Sequence, residues 1–208
     1  RDRKAVGFGV EPDPSAQKIA KSLKLRVYKG QITDNPFPGL RFDTVTASQV
    51  IEHVPDPKAF LLEAKKKLKP GGKIILSTPN LNAIYRYLFG RFWIHWHVPY
   101  HQNLFNLISI LFLAKSCGLR VEKIRTVTPN LWSILQLRTL LHPAMPNSPN
   151  PIWQASLGPK NLSRPKPETN SSILLTFCLI LLIPVNRLID LLGLGESLLV
   201  SLKHKNEI

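Results

Sequence analysis

His53 follows directly on Glu52, and three further histidines crowd together at His95, His97 and His101. A histidine titrates near neutrality, so one held beside a substrate hydroxyl can accept its proton as that oxygen attacks. The other reading of His53 is a side chain that orders its loop or caps a helix. The spacing of His95, His97 and His101 is not that of a helical zinc pair, and no glutamate lies among them. Glu11, followed by Pro12-Asp13-Pro14, is the second chemical feature. Its carboxylate is acceptor-only and can take both hydroxyl hydrogens of a vicinal diol, or else cap the helix after it. Cys117 and Cys178 form no Cys-x-x-Cys pair, which argues against a disulfide scaffold or thiolate metal site and fits a reducing, cytoplasmic setting.

These residues need elements to position them, and the first half supplies strands and helices in alternation. Lys4 to Val10 reads as a short strand, Ala16 to Leu23 as a helix and Leu25 to Tyr28 as a second strand closed by Gly30. Phe42 to Ala47 is a third strand, and Pro57 to Leu68 a helix that ends at the Pro70-Gly71-Gly72 turn. Lys73 to Ser77 is a fourth strand, 104 to 116 a helix ended by Gly118, and Leu119 to Val127 a fifth strand. Such alternation with short connections signs a parallel sheet wound with helices on both faces. His53 then lies at the carboxyl edge of that sheet, where open α/β folds bind ligands.

Beyond residue 128 the pattern breaks. Nine of the 18 prolines lie between Pro129 and Pro184, so 129–196 reads as a cap or insertion with a Pro-rich loop. Ile173 to Val185 is an apolar run shorter than the roughly 20 residues of a membrane span, which points to a buried or interfacial helix. Ser197 to Lys203 reads as a last strand.

The 208 residues carry a formal charge of +15, and the charge is localised. Residues 64–167 hold 15 basic side chains and one acid, Glu122, whereas 1–63 are nearly balanced. An anionic partner is therefore sought in the second half. Tyr85 to Trp93 interleaves rings with Arg86 and Arg91, suited to stacking on bases, lying at a membrane interface or covering a pocket. The apolar run after it favours a membrane surface or a lipid-linked substrate over nucleic acid. The chain opens Arg1-Asp2-Arg3-Lys4, with neither Met nor an apolar leader, which reads as a start internal to a longer protein.

Phe42 to Pro57, containing Glu52-His53-Val54-Pro55-Asp56-Pro57, resembles class I S-adenosylmethionine-dependent methyltransferases, in the branch with an EHVPDP-type segment. Leu68-Lys69-Pro70-Gly71-Gly72-Lys73 through Pro79-Asn80 is similar to the family's next motif at the expected distance. The resemblance spans about residues 5–128 and the strand at 197–203. It implies a Rossmann-like, doubly wound, mostly parallel sheet: a partial core at 1–128, the cap at 129–196, and the final strand and tail at 197–208. It also implies S-adenosylmethionine as cofactor, with Glu11 and Pro12 at the ribose, Gln31 and Ile32 at the adenine, and Ser48 and Gln49 beside the methionine portion. His53 is then the catalytic base, and His97 and His101 line the substrate side. Some similar quinone O-methyltransferases bind a divalent metal with the equivalents of Glu52, His53 and a further glutamate. That position is Gln49 here, a weaker neutral ligand, so no metal is expected.

One family element is absent. A glycine-rich loop should precede the Glu11 strand by roughly 20 residues, and only ten residues stand before it. Gly7-Phe8-Gly9 runs straight into the Glu11 turn without a helix between, and Gly193-Leu194-Gly195 follows a helix and enters a strand. The sheet is thus expected to lack its first strand, which the family places between the strands ending at Glu11 and Ala47. The chain alone should bind cofactor weakly. The activity implied is methyl transfer to a small or lipid-linked acceptor, a saccharide or quinone precursor. The alternative is a non-catalytic methyltransferase-like module on an anionic membrane surface or partner. A cytoplasmic protein, peripheral at the membrane, suits either.

Overall fold

The computed structural model describes residues 5–141 and 169–205. Among these residues six strands and six α-helices follow one another as β1 (Gly9–Glu11), α1 (Pro14–Ser22), β2 (Val27–Lys29), β3 (Phe42–Ser48), α2 (Pro57–Lys66), β4 (Leu68–Pro79), α3 (Ile84–Phe89), α4 (Leu107–Ser116), β5 (Leu119–Val127), α5 (Asn130–Leu141), α6 (Thr169–Leu191) and β6 (Ser197–His204).

An Asp-Pro pair starts both α1 and α2. Asp13 accepts from the amides of Ser15 and Ala16, and Asp56 from those of Lys58 and Ala59, while Pro14 and Pro57 occupy the first helical turn, where no amide hydrogen is needed. The α1 cap is therefore Asp13, and the helix begins two residues ahead of its expected start. Asn106 and Ser109 cap α4 reciprocally, which moves its start from 104 to Leu107.

The strands form two sheets. Among the described residues β1 and β2 pair in parallel with each other only; β3, β4, β6 and β5 form a four-stranded sheet in that order. β3 and β4 are parallel, and β6 runs antiparallel between β4 and β5, so three of the four strands point the same way. This is the mostly parallel α/β architecture expected. On one face, Phe60, Leu61 and Ala64 of α2 and Ile110 and Ala114 of α4 pack on Ile74, Leu76, Val200 and Leu202. An aromatic group of Phe8, Phe37 and Phe42, ring centroids 5.1–6.5 Å apart, joins the two sheets at the amino-terminal ends of their strands.

Several boundaries differ from expectation. β1 is three residues long, and Val6 and Gly7 stay outside it: the strand has one neighbour, and its ladder stops where Gly9 faces Val27. β2 likewise shifts to Val27–Lys29. β4 is much longer than Lys73–Ser77, because Leu68 already pairs with Phe42 and the chain carries the Pro70-Gly71-Gly72 stretch inside the strand. A Cβ at Gly72 would stand 2.9 Å from the Lys69 carbonyl oxygen and 3.0 Å from that of Phe42, so only glycine fits. The apolar run from Ile173 belongs to a longer helix, α6, that continues past Pro184 to Leu191. Asn186 does not end it, because its side chain turns inward to accept from Tyr85 Oη at 3.0 Å and to donate to Asn130 Oδ1 and Ser133 Oγ at 2.8 and 3.0 Å. α5 and α6 lie between β5 and β6 in the chain; the Pro-rich part of 143–170 falls outside the described residues except for the start of α6. Among the described residues no helix is long and apolar enough to cross a membrane.

Candidate functional site

The carboxyl ends of β3 and β4 hold the first group. Ser48 Oγ and Ser77 Oγ share a hydrogen bond of 2.9 Å, the Gln49 amide nitrogen donates to Ser77 Oγ at 3.3 Å, and the Gln49 backbone donates to the Ser77 carbonyl at 2.9 Å. Gln49 adopts φ +52°, which turns the chain sharply off the strand. Ile51 and Glu52 are then driven fully into the interior, and His53 emerges next to them.

Glu52 anchors the loop that carries the other histidines. Its carbonyl accepts from the amides of Gln102 and Asn103 at 2.8 and 3.1 Å, tying the 95–103 loop to the end of β3. Its side-chain Oε2 accepts from the buried Thr78 hydroxyl at 3.0 Å, whereas the equally buried Oε1 has no hydrogen-bond partner among the described residues. Burial pushes its carboxyl above the ordinary value of 4.5, against the lowering effect of its backbone and Thr78 hydrogen bonds.

The tied loop brings the histidines together. His53 and His101 have ring centroids 4.7 Å apart, His97 and His101 5.0 Å, and His53 and His97 6.3 Å. His53 Nδ1 lies 3.0 Å from the Tyr100 carbonyl oxygen and His101 Nδ1 2.7 Å from that of His95. A carbonyl only accepts, so each Nδ1 carries the hydrogen that points at it, and Nε2 is the ring nitrogen that can carry a lone pair. Burial lowers His97 and lowers His101 to about 4, and the neighbouring imidazoles add to both shifts. His101 is therefore neutral at physiological pH.

His95 belongs elsewhere. It is fully buried, stacks on Trp132 at 4.2 Å, and its Nε2 sits 3.3 Å from Glu196 Oε2, which also accepts from Trp93 Nε1 at 2.9 Å. Its ring braces the base of the loop, and its carbonyl orients His101.

The cofactor-side residues lie on the other sheet. Glu11 ends β1; its Oε1 accepts from the Asp13 amide at 2.8 Å, leaving Oε2 for another donor, and Pro12 beside it is exposed. Gly30 at φ +138° ends β2, where a Cβ would collide with the Asp34 carboxylate. The Gln31 amide donates to Asp34 Oδ2 at 2.7 Å and so closes a 3-10 turn at Ile32–Asp34, with Ile32 packed against the core. β1, β2, β3 and β4 thus present Glu11, Gln31 and Ile32, Ser48 and Gln49, and Ser77 at their carboxyl ends. His53, His97 and His101 form one cluster with Glu52, and the other site candidates do not join it.

Sequence reasoning missed Thr78, the two carbonyls that set the histidine tautomers, and the nearness of Glu52 to His101. Glu52, His53 and His101 each offer a donor atom, all within 4.8 Å of one another. The Gln49 amide, by contrast, is engaged with Ser77. Thr78 was detectable in principle, since period-two alternation puts it on the face of buried Ile74 and Leu76.

A methyltransferase-domain profile matches residues 1–124, more than half of the chain. The chain belongs to the methyltransferase-domain family. Its relatives include a "probable S-adenosylmethionine-dependent methyltransferase" of Mycolicibacterium smegmatis, 28% identical over 120 residues, 58% of this chain and 45% of that protein. A ubiquinone biosynthesis O-methyltransferase of Bradyrhizobium sp. is 42% identical over 78 residues, 34% of this chain and 30% of that protein. The matched segments span less than half of these relatives' own length. A solved S-adenosylmethionine-dependent methyltransferase of Archaeoglobus fulgidus, 18% identical, shares the fold over 94% of this chain and 75% of that one at a TM-score of 0.53. The methyl donor of this methyltransferase family is S-adenosylmethionine.

Proposed function

We propose that this methyltransferase-domain chain acts in transferring the methyl group of S-adenosylmethionine to a hydroxyl oxygen of a small or lipid-linked acceptor, of the quinone-precursor class. Glu11 takes the ribose diol with Pro12 beside it, Gln31 and Ile32 flank the adenine, and Ser48 and Gln49 lie along the methionine portion. The acceptor oxygen attacks the methyl carbon as the sulfonium C–S bond breaks, giving a neutral thioether, and the hydroxyl proton passes to His53 Nε2. His97 and His101 face the acceptor. The observation that carries this reading is the 3.0 Å contact of His53 Nδ1 with the Tyr100 carbonyl, which leaves the other ring nitrogen, Nε2, available for a proton at the carboxyl edge of β3. Relatives named ubiquinone biosynthesis O-methyltransferases, matched over a third of the chain, support the acceptor class.

The reading also calls for a strand and glycine-rich loop outside the described residues. Among the described residues β1 and β3 each have one hydrogen-bonded neighbour, which leaves an edge on both sheets for a further parallel strand. The test is transfer of labelled methyl from S-adenosylmethionine to a catechol acceptor by the protein. His53→Ala is expected to lower turnover by roughly 10²–10⁴-fold. Wild-type turnover in that variant overturns the role of His53.

A peripheral membrane-surface role is favoured by α6, where Ile180, Leu181, Ile183, Val185, Leu188 and Leu191 are exposed. Arg187 stands among them. Flotation with anionic liposomes at low salt tests it: co-flotation supports the role and absence of binding removes it.

A further inference from the structure

We infer that Glu196, distant in sequence from the histidine cluster, is a positioning residue for its acceptor side: through the ring of His95 it sets the backbone carbonyl that holds His101. The inference rests on the methyl-transfer reading only where it assigns His101 to the acceptor.

The link starts on the sheet. Glu196 stands one residue ahead of β6, at the carboxyl edge of β4 and β5. Its amide donates to Thr128 Oγ1 at 3.1 Å and its carbonyl accepts from the Asn80 amide at 2.8 Å, so its backbone is fastened to the residues that follow both strands. The side chain is 1% exposed. Its Oε2 accepts from Trp93 Nε1 at 2.9 Å and lies 3.3 Å from His95 Nε2, while Oε1 has no hydrogen-bond partner among the described residues. A buried carboxylate so sparsely paired costs stability. An apolar side chain would avoid that cost, but it would leave the Trp93 indole and the His95 imidazole facing no acceptor.

From Glu196 the link runs into the loop. The buried His95 nitrogens make no well-aligned hydrogen bond among the described residues. Its ring is restrained instead by the Trp132 stack at 4.2 Å, the Trp93 edge contact at 5.2 Å and the approach of Glu196. The residue before it is clamped as well: the Ile94 amide donates to Gln136 Oε1 at 3.0 Å, and Gln136 Nε2 donates to the Phe92 carbonyl at 2.9 Å. With the backbone held at Ile94 and the ring held at His95, the direction of the His95 carbonyl follows. His101 Nδ1 meets that carbonyl at 2.7 Å, which puts the hydrogen on Nδ1 and keeps Nε2 as the acceptor nitrogen of the neutral ring.

The test is imidazole nitrogen NMR of the whole chain at neutral pH, where His101, lowered to about 4, is uncharged. In wild type His101 should show a protonated Nδ1 and a bare Nε2. Glu196→Ala keeps the two backbone bonds and removes the carboxylate. It should lower the His101 preference for the Nδ1 hydrogen by roughly 2–10-fold, the range that one neutral hydrogen bond supports. His95→Phe, which keeps an aromatic ring against Trp132 and removes the nitrogen facing Glu196, should do the same and serves independently of how Glu196→Ala folds. Glu196→Gln retains an oxygen that can accept from Trp93 and His95, so it should restore the wild-type signals. Leu61→Ala, a loss of core packing under α2, should leave them unchanged and controls for destabilisation. In catechol methylation Glu196→Ala should raise the acceptor KM by a similar factor, and Glu196→Gln should not. An unchanged His101 tautomer in Glu196→Ala or in His95→Phe, or equal loosening in Leu61→Ala, overturns the inference. Absence of methyl transfer by the wild type overturns the proposed function instead, and the nitrogen signals still decide this link.

Discussion

Thr78→Val isolates the one side-chain hydrogen bond that the buried Glu52 receives. The two side chains have nearly the same shape, so packing around Thr78 is retained while the 3.0 Å donor to Glu52 Oε2 disappears. Glu52 Oε1 already lacks a partner among the described residues, so the variant leaves a fully buried carboxylate with no side-chain donor among them. A hydrogen bond to a charged group is worth about 1.5–3 kcal/mol, which sets the expected loss when the group is ionised. The loss depends on pH. Burial raises the folded-state value of Glu52 above 4.5, so the folded protein holds this proton longer than the unfolded chain. Glu52 therefore costs stability as pH rises from 4.5 through its raised folded value, and removing Thr78 raises that value further. Urea unfolding of the chelator-treated protein at about pH 8 should show the full deficit, and at about pH 5 a clearly smaller one, with m unchanged. An equal deficit under both conditions, or none at the alkaline one, would refute an ionisable Glu52 held by Thr78.

Other perturbations act on the same contacts. The depressed His101 value, about 4 against an ordinary 6.5, means the unfolded chain takes up a proton that the folded chain refuses, so stability should be lost as pH falls from 6.5 towards 4. The full shift corresponds to about 3 kcal/mol, and solvent screening of this partly exposed ring reduces it to roughly 1–2 kcal/mol. His101→Gln should flatten that limb in a pH series of urea midpoints, and an unaltered limb would contradict the assignment. Asp56→Ala removes the acceptor of the Lys58 and Ala59 amides and should cost about 1 kcal/mol by thermal or urea unfolding. Leu61→Ala, in the core where α2 meets the sheet, should cost about 2–5 kcal/mol, and a loss near zero would mean that α2 does not pack as described.

The elements legible in sequence are those whose signals are local. Leu119–Val127 reads with its true ends because Gly118 closes the helix before it and β-branched residues fill it. Asp13-Pro14 and Asp56-Pro57 mark helix starts because capping involves neighbours in the chain. Non-local partners explain the failures. The apolar run Ile173 to Val185 understates α6, which continues because Tyr85, Asn130 and Ser133 engage Asn186 within a polar contact. β1 is shorter than its apolar run because it has one neighbour. The histidine cluster is only half legible: the roles of His53, His97 and His101 come from resemblance, but the tautomers of His53 and His101 depend on the carbonyls of Tyr100 and His95. The approach of His101 to Glu52 depends on backbone bonds between distant turns, which no spacing rule encodes.

Centrally, Glu11, Gly30 to Ile32, Ser48 and Gln49 are proposed to make up the cofactor face of this chain. Amide-resolved NMR of the chain titrated with S-adenosylhomocysteine to about 1 mM, a level that detects binding of only about −4 kcal/mol, tests this most directly. The result expected is a set of saturable shifts at those residues, weakened by Glu11→Ala. Absence of shifts there, or shifts that survive Glu11→Ala unchanged, would contradict it.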